Sequence, residues 1–412
     1  MARLRILGMI MAGGKGDRLF PLTKARSKPA VPFAGKHRII DFALSNFINS
    51  GIYAVYLLVQ YKSQSLIEHL RNTWRWRIGG GLKDTFITVV PPQMRQGENW
   101  YQGTADAVYQ NLNVIRDFRP DLIAVFGADH IYRMDLGQMV KFHMENRADV
   151  TVGALPVPVS EASSFGVIAV DHTQRFIGFE EKPKNPKPMP TDPDRAYVSM
   201  GNYLFETELL VEALQEDAQR TTAHDFGRTI IPELFSKRKV YAYDFLSNDV
   251  PGVKTYEERG YWRDVGTLPA YWQAHMDLLG THPAFDLHNR DWPILGTVYD
   301  GPPTRMLDGE IRDCLVGDGC RIEGGSITRS VLGHDVRISK GAEIEGAVIM
   351  DYAEIGVGVK LKGVIVDRFN TIPAGSEIGT GSGEGEDRYF REPSGLFILE
   401  RGETAHPPTG GH

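Results

Sequence analysis

The chain has 412 residues, enough for two domains of which one is large, and its 42% hydrophobic and 24% charged content is that of an ordinary globular protein. A formal net charge of −6, with no basic run, gives no support to nucleic-acid binding. Two cysteines, Cys314 and Cys320, exclude a disulfide framework and suit a reducing cytoplasm, where both are expected to stay reduced.

Arg3 and Arg5, before a short apolar run, imitate the start of a signal peptide, but the run is only about seven residues long and ends in glycines and charges. It reads instead as a buried strand over 6–12 that stops at Gly13-Gly14. Gly13, Gly14 and Gly16 let the backbone approach a ligand and turn its N–H groups toward an anion. Arg18 follows at once, and Lys28 stands just before Pro29, so a flexible anion cradle has two cations beside it, as a triphosphate requires. No Gly-Lys-Ser/Thr ends the loop, and Gly14-Lys15-Gly16 lacks a third glycine three residues on, so neither the P-loop nor the dinucleotide fingerprint applies. On the glycines alone, an ordinary turn after a first strand remains open.

Further along, the pattern predicts a helix over 41–50 with Asp41 as N-cap and Gly51 just past its end. A strand over 53–60, a helix over 63–76, a strand over 86–90 and a helix over 104–114 follow. A strand over 122–126 ending at Gly127-Ala128-Asp129, a helix over 136–146 and a strand over 150–155 complete the alternation. This rhythm implies an α/β, Rossmann-like, mostly parallel sheet with helices on both faces, and no apolar run reaches the ~20 residues of a membrane span. Ligands in such folds sit beyond the carboxyl ends of the strands, where Gly13-Gly14, Gln60 and Asp129 all fall.

Prolines 186, 188, 190 and 193 mark a loop over 185–194, and an irregular stretch over 281–304 reads as a linker. The chain then divides into a first domain over 1–282, a linker over 283–305, a repeat domain over 306–379 and a tail over 380–412. In the repeat domain apolar residues recur every sixth position: Val316 and Ile322; Leu332, Ile338 and Ile344; Ile349, Ile355 and Leu361; Val366, Ile372 and Ile378. Hexads in threes, with Gly317, Gly333 and Gly356 in step, predict a left-handed parallel β-helix. Its weakly charged surface around 346–350 is expected to pack on the first domain and on a second subunit. The tail is rich in glycine and charge and is expected to fray in part, although 395–399 is apolar enough to dock.

Two acids stand out. Asp129, after a buried strand, suits a Mg²⁺ shared with a triphosphate, or else a turn cap. Asp264, in Tyr261-Trp262-Arg263-Asp264-Val265-Gly266-Thr267, is by itself an ion-pair partner for Arg263. In Phe179-Glu180-Glu181-Lys182-Pro183, Lys182 is expected in an extended segment because proline follows it, pointing its amine at a phosphate; a surface turn is the plainer reading.

MAGGKGDRL followed by KPAVPFAGKHRIIDF resembles the signature of the sugar-nucleotide pyrophosphorylases, a nucleotidyltransferase family, and the likeness runs from about residue 7 to about 397. The resemblance implies that Ala12, Gly13, Gly14, Lys28, Gln60, Gly103 and Thr104 surround a nucleoside triphosphate, with Arg18 and Lys28 on its phosphates. It implies that Asp129 and Asp264 hold Mg²⁺, and that Lys182 binds the phosphate of a sugar 1-phosphate. By the same match, Tyr101, Gly166, Glu181 and Ser199 bind the sugar. WYQGTADAV, YWRDVGT and RIIDFALSN resemble the branch that joins ATP to glucose 1-phosphate, releasing pyrophosphate and making ADP-glucose for glycogen. Transfer to another base or sugar stays open, as does a non-catalytic regulatory subunit of the same fold. The presence of Arg18, Lys28, Asp129, Lys182 and Asp264 together argues for activity. Enteric members carry a lysine for a sugar-bisphosphate activator where this chain has Ala25, while Arg26, Arg38 and Arg368 match effector-binding positions. These arginines imply control by anionic metabolites, or else serve in solubility or subunit salt bridges, and the family resemblance implies a homotetramer.

Overall fold

The computed structural model describes residues 4–74, 84–93, 100–381 and 389–402. The apolar run Ile6–Ala12 forms β1, buried almost throughout, as a strand covered on both faces must be. The short strands β2 (Pro32–Phe33) and β3 (His37–Arg38), helix α1 (Ile39–Asn49), β4 (Ala54–Val59), α2 (Gln64–Thr73) and β5 (Phe86–Val90) follow. Then come α3 (Thr104–Tyr109), α4 (Leu112–Phe118), β6 (Leu122–Gly127), β7 (His130–Tyr132), α5 (Leu136–Glu145) and β8 (Val150–Pro158). Helix α6 (Val159–Ala162), β9 (Gly166–Val170), β10 (Phe176–Glu181), β11 (Arg195–Glu206), α7 (Thr207–Asp217), α8 (Ile231–Leu234), β12 (Val240–Asp244), β13 (Trp262–Asp264) and α9 (Leu268–Met276) complete the first domain.

Strands β5, β4, β1 and β6 lie side by side and parallel within a nine-stranded sheet. The long β11 runs antiparallel to β6, β8 and β9, and β12 is parallel to β8. Side chains alternate along β1: Leu7 and Met9 enter one core, Ile10 and Ala12 the other, so helices cover both faces. The carboxyl ends of β1, β4 and β6 therefore open at one edge, where Gly13, Gln60 and Asp129 stand.

Three local expectations are corrected. Asp41 is not the N-cap of α1 but its third helical residue; its Oδ2 accepts from the main-chain N–H of Arg38 at 2.8 Å, the returning half of a capping box. Its Oδ1 accepts from Trp74 Nε1 at 2.8 Å and meets His69 Nε2 at 2.7 Å, so the carboxylate also ties α1 to the end of α2. The helix expected over 104–114 is broken between α3 and α4, because Asn111 Nδ2 takes the Ala107 carbonyl that the next helical N–H would have used. The helix expected over 63–76 ends at Thr73, and Trp76 lies outside the described residues.

The hexads fold as three parallel sheets of short strands, one per face of a triangular coil. Val316, Leu332, Ile349 and Val366 stack in register on one face, Ile322, Ile338, Ile355 and Ile372 on the second. Ile344, Leu361 and Ile378 stack on the third. Gly317 and Gly333 allow neighbouring coils to touch, since a Cβ on either would lie 2.6 Å or less from the next coil. Both cysteines are free. The face carrying Val331, Val348 and Ile365 packs on Leu19, Phe33 and Tyr271 of the first domain, where Trp272 Nε1 also donates to the Gly346 carbonyl at 2.8 Å. Phe397–Leu399 docks as a parallel strand beside Val364–Val366, while 382–388 and 403–412 of the expected tail lie outside the described residues. Residues 277–304 run without helix or strand but are not a free tether: Phe285, Trp292 and Ile294 are buried, and Leu295 N–H donates to Ser45 Oγ at 2.8 Å.

Candidate active site

One cleft of about 880 Å³ opens at the carboxyl edge of the parallel strands. Its floor joins two segments far apart in sequence. Strands β7 and β13 pair antiparallel with His130 opposite Asp264, and Asp129 precedes β7, so the ribbon sets the two acids side by side. Ligand atoms of Asp129, His130 and Asp264 lie within 4.8 Å of one another. Lys28 bridges the acids, its Nζ 2.9 Å from Asp129 Oδ2 and 2.9 Å from Asp264 Oδ1. Burial alone would lower the pKa of Lys28, but the two carboxylates outweigh it and raise it above its ordinary value. Burial would likewise raise Asp129; the neighbouring His130 and Lys28 instead hold it well below the usual carboxylate range. Both groups are therefore charged at neutral pH. Two carboxylates facing the glycine loop are the donor set a hard divalent cation takes, so the residues fit one. Arg18 stands at the rim, half a contact away: its Nη2 is 3.8 Å from Asp264 Oδ2 and its side chain is 71% exposed, free to turn toward an incoming anion.

The glycine loop lies above the acids. Gly16 has φ +70°, and a Cβ there would press on Thr23 and Lys28, so this corner favours glycine on two grounds. Thr23 Oγ1 donates to the Gly16 carbonyl at 2.8 Å and fixes the turn. Ala12, Gly13 and Gly14 line the cleft beside Gln60. The Gln60 amide is engaged with the main chain of Tyr101, accepting from its N–H at 2.9 Å and donating to its carbonyl at 3.3 Å. That clamp carries Tyr101, Gly103 and Thr104 into the same cleft.

The opposite wall comes from the antiparallel part of the sheet. Gly166 on β9 faces Glu181 on β10, and Ser199 stands on β11. Lys182 lines the cleft with a largely exposed side chain, 3.9 Å from Glu181 Oε1. Its backbone is not extended as expected: β10 ends at Glu181 and the chain bends out of the sheet at Lys182, with φ +51° while its N–H still donates to the Phe165 carbonyl at 2.9 Å. A following proline disfavours the right-handed helical region, and Lys182 takes the left-handed one rather than the extended. Tyr203, Asp225, Phe226 and Trp262 also line the wall and are not among the expected site residues, although Trp262 stands in the segment that carries Asp264. For Asp225 and Phe226 the hint in the sequence is the turn Asp225-Phe226-Gly227, an acid shortly before a glycine.

The three arginines of the expected effector site lie elsewhere, at the junction with the β-helix, and each has a protein partner. Arg26 is not open to solvent: it is buried, with Nη2 2.7 and 2.8 Å from the two Asp367 oxygens. Arg38 Nη1 donates to the Ala30 carbonyl at 2.5 Å. Arg368 Nε lies 3.1 Å from Asp351 Oδ2, and its guanidinium covers the Tyr352 and Phe369 rings. Burial first, and then the charges of Arg368 and Arg26, lower Arg38 to about 10, against the opposing pull of Asp351 and Asp41.

A family model described as nucleotidyl transferase matches residues 7–281, and one described as a GlmU-like, C-terminal hexapeptide matches residues 302–399, in keeping with a left-handed β-helix. The glucose-1-phosphate adenylyltransferase of Thermodesulfovibrio yellowstonii is 53% identical over 398 residues, 96% of each chain. That of Photobacterium profundum is 46% identical over 96% of this chain and 98% of its own. A third, from an Anaeromyxobacter species, is 46% identical over 98% of this chain and 100% of its own.

Proposed function

The chain belongs to the nucleotidyl transferase family, among the glucose-1-phosphate adenylyltransferases, and from that premise we propose that it transfers the adenylyl group of ATP to α-D-glucose 1-phosphate, giving ADP-glucose and pyrophosphate for glycogen synthesis. The observation that carries the reading is the convergence of Lys28, Asp129 and Asp264 below the glycine loop, across the cleft from Lys182.

In this reading the sugar phosphate oxygen attacks the α-phosphorus of ATP in line, and pyrophosphate leaves. Little covalent work falls to the protein, so catalysis is positioning and charge neutralisation. Asp129 and Asp264 would hold Mg²⁺, whose charge offsets that of the phosphates. Lys182 holds the attacking phosphate, while Glu181, Ser199 and Tyr101 orient the sugar. The amides of Gly13 and Gly14, with Arg18, receive the departing pyrophosphate. Lys28, next to the triphosphate path, balances the two acids until the nucleotide arrives.

The test is a panel of ATP, UTP and GTP against several sugar 1-phosphates, read as pyrophosphate release. ATP with glucose 1-phosphate should give the highest kcat/KM by a wide margin, and preference for another pair would overturn the assignment. The reading extends to a cytoplasmic homotetramer, checked by light scattering. It extends also to control by anionic metabolites at Arg38 and Arg368, where an anion would compete with Asp351. Sugar phosphates, pyruvate, AMP and inorganic phosphate should then alter the wild-type rate but act weakly on Arg368→Ala.

A further inference from the structure

Thr104 opens α3 and by sequence belongs with the nucleotide loop, yet its hydroxyl is directed to the other wall of the cleft. Oγ1 donates to Asp225 Oδ2 at 2.9 Å and accepts from the Phe226 N–H at 3.1 Å. The other Asp225 oxygen accepts from the N–H groups of Gly227 and Arg228, both at 3.0 Å. With its proton and one lone pair so engaged, the hydroxyl has little left to offer a base or ribose.

The main chain makes the same connection. Helix α3 has no side-chain cap; the His224 carbonyl caps it instead, accepting from Ala105 N–H at 2.8 Å and Asp106 N–H at 3.2 Å. Gly103 is fitted closely to that turn, since a Cβ there would lie 2.2 Å from the His224 oxygen. Asp225 and Gly227 stand beside Glu181 and Tyr203, a Cβ on Gly227 lying 3.7 Å from Glu181 Oε2 and 3.8 Å from Tyr203 Oη.

We propose that Thr104 is a positioning residue for the sugar phosphate: its hydroxyl fixes the Asp225 carboxylate, so the helix that begins at the nucleotide loop also sets the wall that meets the sugar. The proposal rests on the functional reading above. Without the hydroxyl, Asp225 keeps, among the described residues, the bonds of its other oxygen to the N–H groups of Gly227 and Arg228, while Oδ2 loses the bond that orients it. The nucleotide side keeps its own support, because Gln60 and the His224 carbonyl hold the main chain of 101–106.

The experiment compares wild type, Thr104→Val and Thr104→Ser. Thr104→Val should raise the KM for glucose 1-phosphate by roughly 10–100-fold, the loss expected for one hydrogen bond to a charged group, and leave the KM for ATP nearly unchanged. Thr104→Ser should restore most of the loss. Titration calorimetry with glucose 1-phosphate and nucleotide-free protein should show the same weakening, and Thr104→Ala serves if the valine variant does not fold. A rise in the ATP constant alone, equal rises for both substrates, no change in either, or a serine variant no better than valine would each overturn the proposal. Wild-type turnover tests the functional reading separately: if another substrate pair is preferred, the variants are compared with that pair.

Discussion

The pair Arg26–Asp367 joins the segment between the glycine loop and Lys28 to the β-helix, and its side chains are 2% and 1% exposed. One guanidinium nitrogen contacts both carboxylate oxygens, the other lies 3.9 Å from Met350 Sδ, and Asp367 Oδ1 also accepts the Arg368 N–H at 2.7 Å. Removing either partner strands a buried charge, which costs about 3–5 kcal/mol. Arg26→Met leaves Asp367 without its cation; Asp367→Asn leaves Arg26 beside Arg368 and Arg38 without its anion. Replacing both removes the charges together, and because the pair's own net worth is small, the double variant should be more stable than either single one. The assay is chemical denaturation of the three variants and wild type, followed by tryptophan fluorescence. Single variants within about 1 kcal/mol of wild type, or a double variant whose loss equals the sum of the two, would refute this account of the junction.

Asp129→Asn should lower kcat by roughly 10²–10⁴ with little effect on folding, the range for losing one strong transition-state contact, and near-wild-type kcat at saturating Mg²⁺ would reject the metal role. Lys182→Ala should raise the KM for glucose 1-phosphate far more than that for ATP, since a lysine binding ground and transition states alike acts on KM; equal changes would reject its assignment. Stability should fall on acidification because of His275, whose Nε2 accepts the Ala34 N–H at 3.1 Å while Nδ1 faces the Tyr271 carbonyl at 2.9 Å, an arrangement that requires the neutral ring. Burial lowers its pKa from 6.5 to about 4, so between those values the unfolded chain binds a proton that the folded chain does not. The contribution is fully present above pH 6.5 and amounts to roughly 3 kcal/mol lost by about pH 4, at 1.36 kcal/mol per unit. His275→Gln should flatten the fall in denaturation midpoint between pH 7 and 4.5, and an unchanged slope would count against it.

What the sequence disclosed follows the range of the interactions. The hexads are legible because each apolar residue meets its counterpart one coil on, as Ile338 meets Ile355, and the spacing repeats. The glycine loop is legible because its chemistry is contiguous from Gly13 to Lys28. The adjacency of Asp129 and Asp264 is not, since it depends on two three-residue strands paired across more than a hundred residues with no pattern of their own. The proline after Lys182 points to an extended backbone, but the end of β10 at Glu181, set by its pairing with β9, is where the chain bends. Arg26 reads as a free cation until Asp367 is brought against it, and Thr104 reads as part of the nucleotide loop until the turn at Asp225 folds over it.

The central claim concerns which phosphorus moves. With ATP labelled at the α-phosphate and unlabelled glucose 1-phosphate, the label should appear in the nucleotide sugar; with ATP labelled at the γ-phosphate, it should appear in pyrophosphate. Asp129→Asn should slow both transfers together. Label from the γ-position in the sugar product, or release of α-label that does not depend on glucose 1-phosphate, would contradict adenylyl transfer at this cleft.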